Sequence, residues 1–237
     1  MTTHLAGLSS AEIATVQRYA RYAGVAMLLS FVFGGLGEAY LPGKIIVSGD
    51  ATATATNIAL HPTLFRMVFA SYLVEGFCDI ALCVFWYIVL KPVNRNVALL
   101  SAFLGIVSMV TFAVAESSYF ASSLIVKDTA GMSAFSVDQR NALALLSTRI
   151  SSMIASLFIG FYGAATGIRG FLIMRSGYLP KVLGILFIIG GAGFLLSSAS
   201  YIVAPAYSSA VMLMPMVLAG IPTTLWLLFK GVDRTAR

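Results

Sequence analysis

KVLGILFIIGGAGFLLSSASYIVAPAYSSAVMLMPMVLAGIPTTLWLLFK, residues 181–230, holds no Asp, Glu, Lys or Arg between its terminal lysines. A soluble domain carries charge on about a quarter of its residues, whereas this whole 237-residue chain carries it on 10%. The quoted stretch divides at Ala204-Pro-Ala-Tyr-Ser-Ser209 into two apolar runs, 181–203 and 211–229. Each is about the 20 residues that a helix needs to cross the hydrocarbon layer. The same criterion, applied back towards the N-terminus, gives four more runs at 22–40, 63–90, 97–126 and 139–168. The predicted fold is all-α, a polytopic membrane protein with six transmembrane helices in one bundle. Such a pattern excludes a soluble enzyme, a disordered chain and a disulfide scaffold.

The net charge of +6 has the sign of a nucleic-acid binder, but its distribution does not fit one. Basic residues sit in short clusters between apolar runs, as membrane topology requires. Arg18 and Arg21 precede the first span, Lys91 and Arg95 follow the second, and Arg169, Arg175 and Lys181 follow the fourth. Lys230, Arg234 and Arg237 close the chain. The alternate connections hold fewer (Lys44, Lys127, Arg140, and Arg66 just inside the next helix) alongside Glu38, Asp50, Asp128 and Asp138. Both termini are therefore expected in the cytoplasm, with the lipid bilayer as the partner and no nucleic acid.

Residues 1–21 form the N-terminal segment, in which Ser9-Ser10-Ala11-Glu12 has the spacing of a capping box. A short amphipathic helix with Ile13, Val16 and Ala20 on its apolar face is expected there, lying on the membrane or running into the first span. That span is too long for a signal peptide and is read as uncleaved. The 41–62 connection carries a Pro-Gly-Lys turn and an Ala/Thr alternation at 51–56, compatible with an interfacial helix or an extended segment. Gly163-Ala-Ala-Thr-Gly167, Gly160 and the glycines at 184, 190, 191 and 193 mark close helix packing inside one bundle. Gly220-Ile-Pro222 predicts a kink in the last span, and residues 230–237 form a cytoplasmic tail.

Cys78 and Cys83, five apart on one helix, point in different directions and read as two small buried hydrophobes. The only histidines, His4 and His61, lie outside the spans. No span therefore offers the His pair of an intramembrane haem, and no metal-ligand set is visible.

Four charges stand inside apolar spans: Glu75, Asp79, Glu116 and Arg149. Counted from the outer ends of their helices, Glu75, Glu116 and Arg149 each fall about 14–15 Å down. Asp79 is one turn deeper than Glu75 on the same face. Tyr72 lies at i−3 from Glu75 and Tyr119 at i+3 from Glu116, and Arg149 is followed by Ser152 and Ser156. A polar chamber in the outer half of the bundle is expected, lined by the second, third and fourth spans and open to a contribution from the fifth through Ser197, Ser198, Ser200 and Tyr201. Arg149 would pair with Glu116 or Glu75. Three carboxylates against one guanidinium leave charge to be neutralised by a proton, a cation or a polar ligand, unless the network serves only to fix helix order.

The loop Asp50-Ala-Thr-Ala-Thr-Ala-Thr-Asn57-Ile58 followed by Leu64-Phe65-Arg66, with the Arg-rich start of the first helix and the Pro-Gly-Lys turn, resembles the bacterial membrane proteins grouped as domain of unknown function (DUF) 4386. The resemblance spans essentially the whole chain. It implies a multi-pass protein of the bacterial inner membrane and brings no assigned activity, cofactor or catalytic residue. It makes Asp50, Thr54, Asn57 and Arg66 motif positions, with Arg66 at the chamber rim in reach of Asp50 or Glu38.

Three functions are compatible with these residues. The first is a buried Glu/Asp/Arg site that binds or moves a small ligand or a proton, in a protomer small enough that a homo-oligomer would suit many transport designs. The second is a non-catalytic subunit or assembly partner of a larger membrane complex. The third is an intramembrane enzyme acting on a lipid or quinone, for which the sequence offers carboxylates and tyrosines but no nucleophile motif.

Overall fold

The computed structural model describes residues 8–127 and 131–233. His4, Asp128, Arg234 and Arg237 lie outside the described residues. Among the described residues seven α-helices follow one another: α1 (Ser10–Gly34), α2 (Ala51–Leu60), α3 (Pro62–Leu90), α4 (Arg95–Val126), α5 (Val137–Ser176), α6 (Lys181–Val203) and α7 (Met214–Phe229). No strand occurs among the described residues. Six of these described helices are long and apolar enough to cross a membrane, namely all except α2, with α1 and α7 extended by their flanking turns.

The amphipathic segment and the first span are one helix. The capping box forms reciprocally: Ser9 N–H donates to Glu12 Oε2 at 2.8 Å and Glu12 N–H to Ser9 Oγ at 3.3 Å. From that cap α1 runs without a break to Gly34, and the backbone then widens into a π-helical segment, Gly35–Tyr40. The Leu41 N–H reaches back five residues to the Leu36 carbonyl at 2.9 Å.

The Ala/Thr stretch of the 41–62 connection is α2. Asp50 caps its first turn through Ala53 N–H at 2.8 Å. The buried Thr54 hydroxyl both accepts from Val47 N–H and donates to Val47 C=O, and Asn57 donates to Ile45 C=O at 3.1 Å. The conspicuous polar residues of this motif thus serve the loop's own backbone, which would otherwise bury unsatisfied groups.

The sequence places the end of the fourth span at Ile168, but α5 continues to Ser176. Its stop is Gly177, at φ +76°, followed by Pro180 as the N-cap of α6. Left-handed Gly just past the last turn and Pro soon after are the usual end signals of a helix. Arg169 is therefore a helix-interior residue, not a loop cation, and the basic count of that connection falls by one.

The chain divides into two compact units. The larger comprises Met1–Leu29, Cys78–Met109 and Ser156–Arg237. Within it α6 meets α5 through glycines: a Cβ on Gly163 would stand 2.8 Å from Gly191 O, and one on Gly170 would stand 2.6 Å from Gly184 O. A Cβ on Gly190 would fall 3.0 Å from Met216 Cα, so α6 and α7 also approach backbone to backbone. The small-residue face works inside the bundle, where dispersion rather than the hydrophobic effect holds helices together. Pro222 lies within α7. Tyr178 donates to the Val89 carbonyl at 2.5 Å and fastens the turn after α5 to the end of α3. Cys78 and Cys83 are not joined in a disulfide.

The smaller unit comprises Ser30–Phe77 and Val110–Ala155. It holds the π-helical segment, α2, the first half of α3, the second half of α4 and the start of α5. Its interior is aromatic. Phe65 stacks flat on Tyr119 with centroids 4.9 Å apart, Phe69 packs on Phe120, and Tyr72 stands edge-on to Phe112 and Tyr119. Ser147 donates to Ser118 C=O at 2.6 Å and ties α5 to α4.

Candidate functional site

Of the six residues expected in one chamber, five are buried and Arg149 is exposed. Glu75, Glu116, Tyr72 and Tyr119 gather in the smaller unit and are all buried. Asp79 is equally buried but belongs to the larger unit. Arg149 is exposed on α5 beside exposed Leu146, Ile150 and Met153, and it forms no ion pair among the described residues. The expected guanidinium–carboxylate pair is not made. The physical reason lies in helix length. At 40 residues α5 is about 60 Å long, twice the hydrocarbon thickness, so a charge twelve residues from its start is not forced to find a buried partner.

The assumption that Glu75 and Glu116 share one level also fails. In the smaller unit Phe65 faces Tyr119 and Tyr72 faces Phe112. This antiparallel register sets Glu116 opposite Val68, seven residues from Glu75, which is about 10 Å along α3. Tyr72 stands between the two carboxylates. Its hydroxyl lies within hydrogen-bonding reach of Glu116, and both Glu75 and Glu38 act on it electrostatically. One Glu116 oxygen, Oε2, and the Tyr119 hydroxyl are buried with no hydrogen-bond partner.

The first span, which sequence reasoning left out of the chamber, closes the cluster. Gly34 lies against the Glu75 carboxylate, and Gly37 against the Tyr72 ring, where an added Cβ would sit 3.0 Å away. Glu38, on the π-helical segment, is exposed yet near enough to act on Glu116. No Lys, Arg or His is buried among the described residues of this unit; Arg140, near the start of α5, is half-buried. Arg66 is exposed and makes no ion pair with Asp50, whose carboxylate is engaged as the α2 cap.

The second cluster belongs to the larger unit. Tyr162, Thr166 and Arg169 follow at i, i+4 and i+7 on one face of α5, and Asp79 and Cys83 at i and i+4 on α3. Arg169 is 2% exposed. Its Nη2 donates to Cys83 Sγ at 3.8 Å, and its guanidinium lies over the Tyr162 ring at 5.6 Å. Asp79 acts electrostatically on both Cys83 and Tyr162. Gly105 makes room for the group, since a Cβ there would fall 2.5 Å from Cys83 Sγ and 2.9 Å from Arg169 Nη2. Arg169 Nε and the Thr166 hydroxyl have no hydrogen-bond partner. The signal for this cluster is the stop at Gly177 and Pro180: once α5 is carried to that stop, Arg169 must lie within the helix.

Ser197, Ser198, Ser200 and Tyr201 all belong to the larger unit, where Ser198 is buried against Gly160. No group of three or more His, Cys, Asp or Glu with the spacing of a metal site occurs among the described residues.

The family model described as Domain of unknown function (DUF4386) matches residues 22–231. No curated protein and no solved structure matches the chain.

Proposed function

The chain belongs to the DUF4386 family, whose description assigns no activity, and from its own residues we propose that the smaller unit is a charge-binding site in which Glu116 takes up one positive charge, a proton or a small cation. The reading puts the protein in the bacterial inner membrane with both termini in the cytoplasm, as the clustering of basic residues favours.

One observation carries the proposal. Glu116 is 8% exposed, one of its oxygens has no hydrogen-bond partner, and the basic residues described in the same unit are exposed except for Arg140, which is half-buried near the start of α5. An ionised carboxylate in an apolar interior costs several kcal/mol unless it is paired. The tyrosines that flank Glu116 can donate hydrogen bonds but cannot neutralise it. A carboxylate so placed is stabilised by binding a positive charge, and that binding is the event such a site can couple to something else.

The test is an infrared titration of the protein in lipid. We expect a carboxylic-acid carbonyl band that is lost as pH rises or as alkali cation is added, and that Glu116→Gln removes. Spectra of wild type and Glu116→Gln that superimpose throughout would overturn the assignment.

A further inference from the structure

We propose that the first half of α1 holds an anionic phospholipid, with Arg18 and Arg21 on its phosphate, Tyr22 at the level of its glycerol, and Val25, Leu28 and Leu29 along its acyl chains. The proposal is independent of the charge site in the smaller unit, because all of these residues belong to the larger one.

Counted from Arg18, the other five fall at i+3, i+4, i+7, i+10 and i+11, so they share one continuous face of α1. All six side chains are exposed. Their polarity is ordered along the helix: two guanidiniums, then a phenol, then three aliphatic groups. From Arg18 to Leu29 the helix rises about 16 Å, close to half of the hydrocarbon thickness of about 30 Å. A phospholipid standing in one leaflet presents the matching order over the same length. Tyrosine is the residue expected at the headgroup level between the two regions.

The middle of this face is fixed by rings. Tyr19, Tyr22 and Phe85 of α3 meet in a triangle, with centroids 5.7, 5.6 and 5.9 Å apart. The Tyr22 ring is therefore committed to its neighbours, and the two arginines beside it stay uncovered.

Their charge is also open. The Glu12 carboxylate of the same helix is taken by the Ser9 cap, and Arg18 and Arg21 make no ion pair among the described residues. Other cations of the unit are engaged differently: Arg175 lies over Phe171 at 4.2 Å and Lys230 over Trp226 at 4.5 Å. Arginines at i and i+3 are near enough to hold one phosphate between them. A headgroup with net negative charge keeps that attraction whole, whereas the choline of a zwitterionic lipid opposes it. The pair thus selects an anionic lipid.

The experiment is native mass spectrometry of the full chain released from nanodiscs of equal phosphatidylglycerol and phosphatidylcholine, counting the lipids that each protein retains. We expect wild type to retain phosphatidylglycerol at least about tenfold more often, and that ratio to fall about fivefold for each arginine changed to Gln at positions 18 and 21. Arg18→Lys with Arg21→Lys keeps the charge and should keep most of the preference. Lys181→Gln, an exposed cation of the same unit outside this face, should leave the ratio unchanged. All these positions are exposed, so the variants do not threaten the fold. Equal retention of the two lipids by wild type overturns the proposal, as does a wild-type ratio in the double Gln variant. An equal fall in Lys181→Gln would mean that any surface cation suffices, and it overturns the site. A wild-type dimer that the double Gln variant abolishes would give the face to a second copy and overturn the lipid.

Discussion

The two units are built from similar chemistry and handle it differently. Each buries carboxylate and tyrosine side chains between long apolar helices, and each uses a helical glycine to make room: Gly34 for Glu75 and Gly105 for Cys83 and Arg169. The larger unit encloses a guanidinium with its acid, so Asp79 has a compensating charge within its own cluster. The smaller unit buries Glu116 beside Tyr72 and Tyr119, leaves Arg66 and Arg149 exposed and half-buries Arg140 near the start of α5. Buried charge of the first kind holds helices in one arrangement. On the proposed reading, buried charge of the second kind takes up a positive charge. The difference between them is one cation.

The sharpest way to break this comparison is Arg169→Met. Removing one partner from a buried charged group costs about 3–5 kcal/mol, and denaturant unfolding in mild detergent should register it. Adding Asp79→Asn to Arg169→Met should recover more than half of that loss. A single mutant as stable as wild type would mean that the larger unit's charges are not a compensated set. Next come the two glycines. Gly105→Ala drives a Cβ into a short thiol and a confined guanidinium, so the overpacking penalty should sit near the upper end of about 1–3 kcal/mol. Gly34→Ala meets only the tip of the Glu75 side chain, which can swing aside, and should fall near about 1 kcal/mol while shifting the Glu75 infrared band. Equal penalties would show that the two glycines face equally rigid neighbours.

Glu116→Gln should lower stability by less than about 1 kcal/mol, because the amide keeps the shape and relieves an uncompensated charge. A loss as large as that of Arg169→Met would assign Glu116 the same structural duty and erase the contrast. The smallest effect is expected for Arg149→Gln, within about 0.5 kcal/mol of wild type as for other surface positions. A larger loss in the same unfolding series would restore Arg149 to the interior network.

Much of the fold can be read in the residues, because a bilayer demands about 20 apolar residues per crossing and the six runs supply them. The end of α5 was harder to place. Arg169 has the composition of a loop cation, and only the stop signal at Gly177 and Pro180 overrules it. The site was legible in residue type and not in assembly. Glu75, Glu116, Tyr72 and Tyr119 do come together, but depth counted from helix ends assumed ends at one height. The register of α3 on α4, set by the Phe65–Tyr119 and Tyr72–Phe112 contacts, displaces the carboxylates along the axis. Gly34 and Gly37 carried no signal of their own, since a glycine's partner is known only once two helices are docked.

The π-helical segment at Gly35–Tyr40 bears on how this site tolerates insertions and deletions. A widened turn accommodates one residue more than an α-turn, so deleting a single residue there would restore the regular helical phase. Side chains beyond the deletion would keep their angular positions, because the widened turn absorbs the extra residue. Glu38 would stay on its face, and the loop that Thr54 and Asn57 anchor would keep its footing. The open position Gly35, against which nothing packs, is therefore a residue whose removal this turn can absorb, whereas one residue lost from the regular part of α1 would turn all that follows by about 100°.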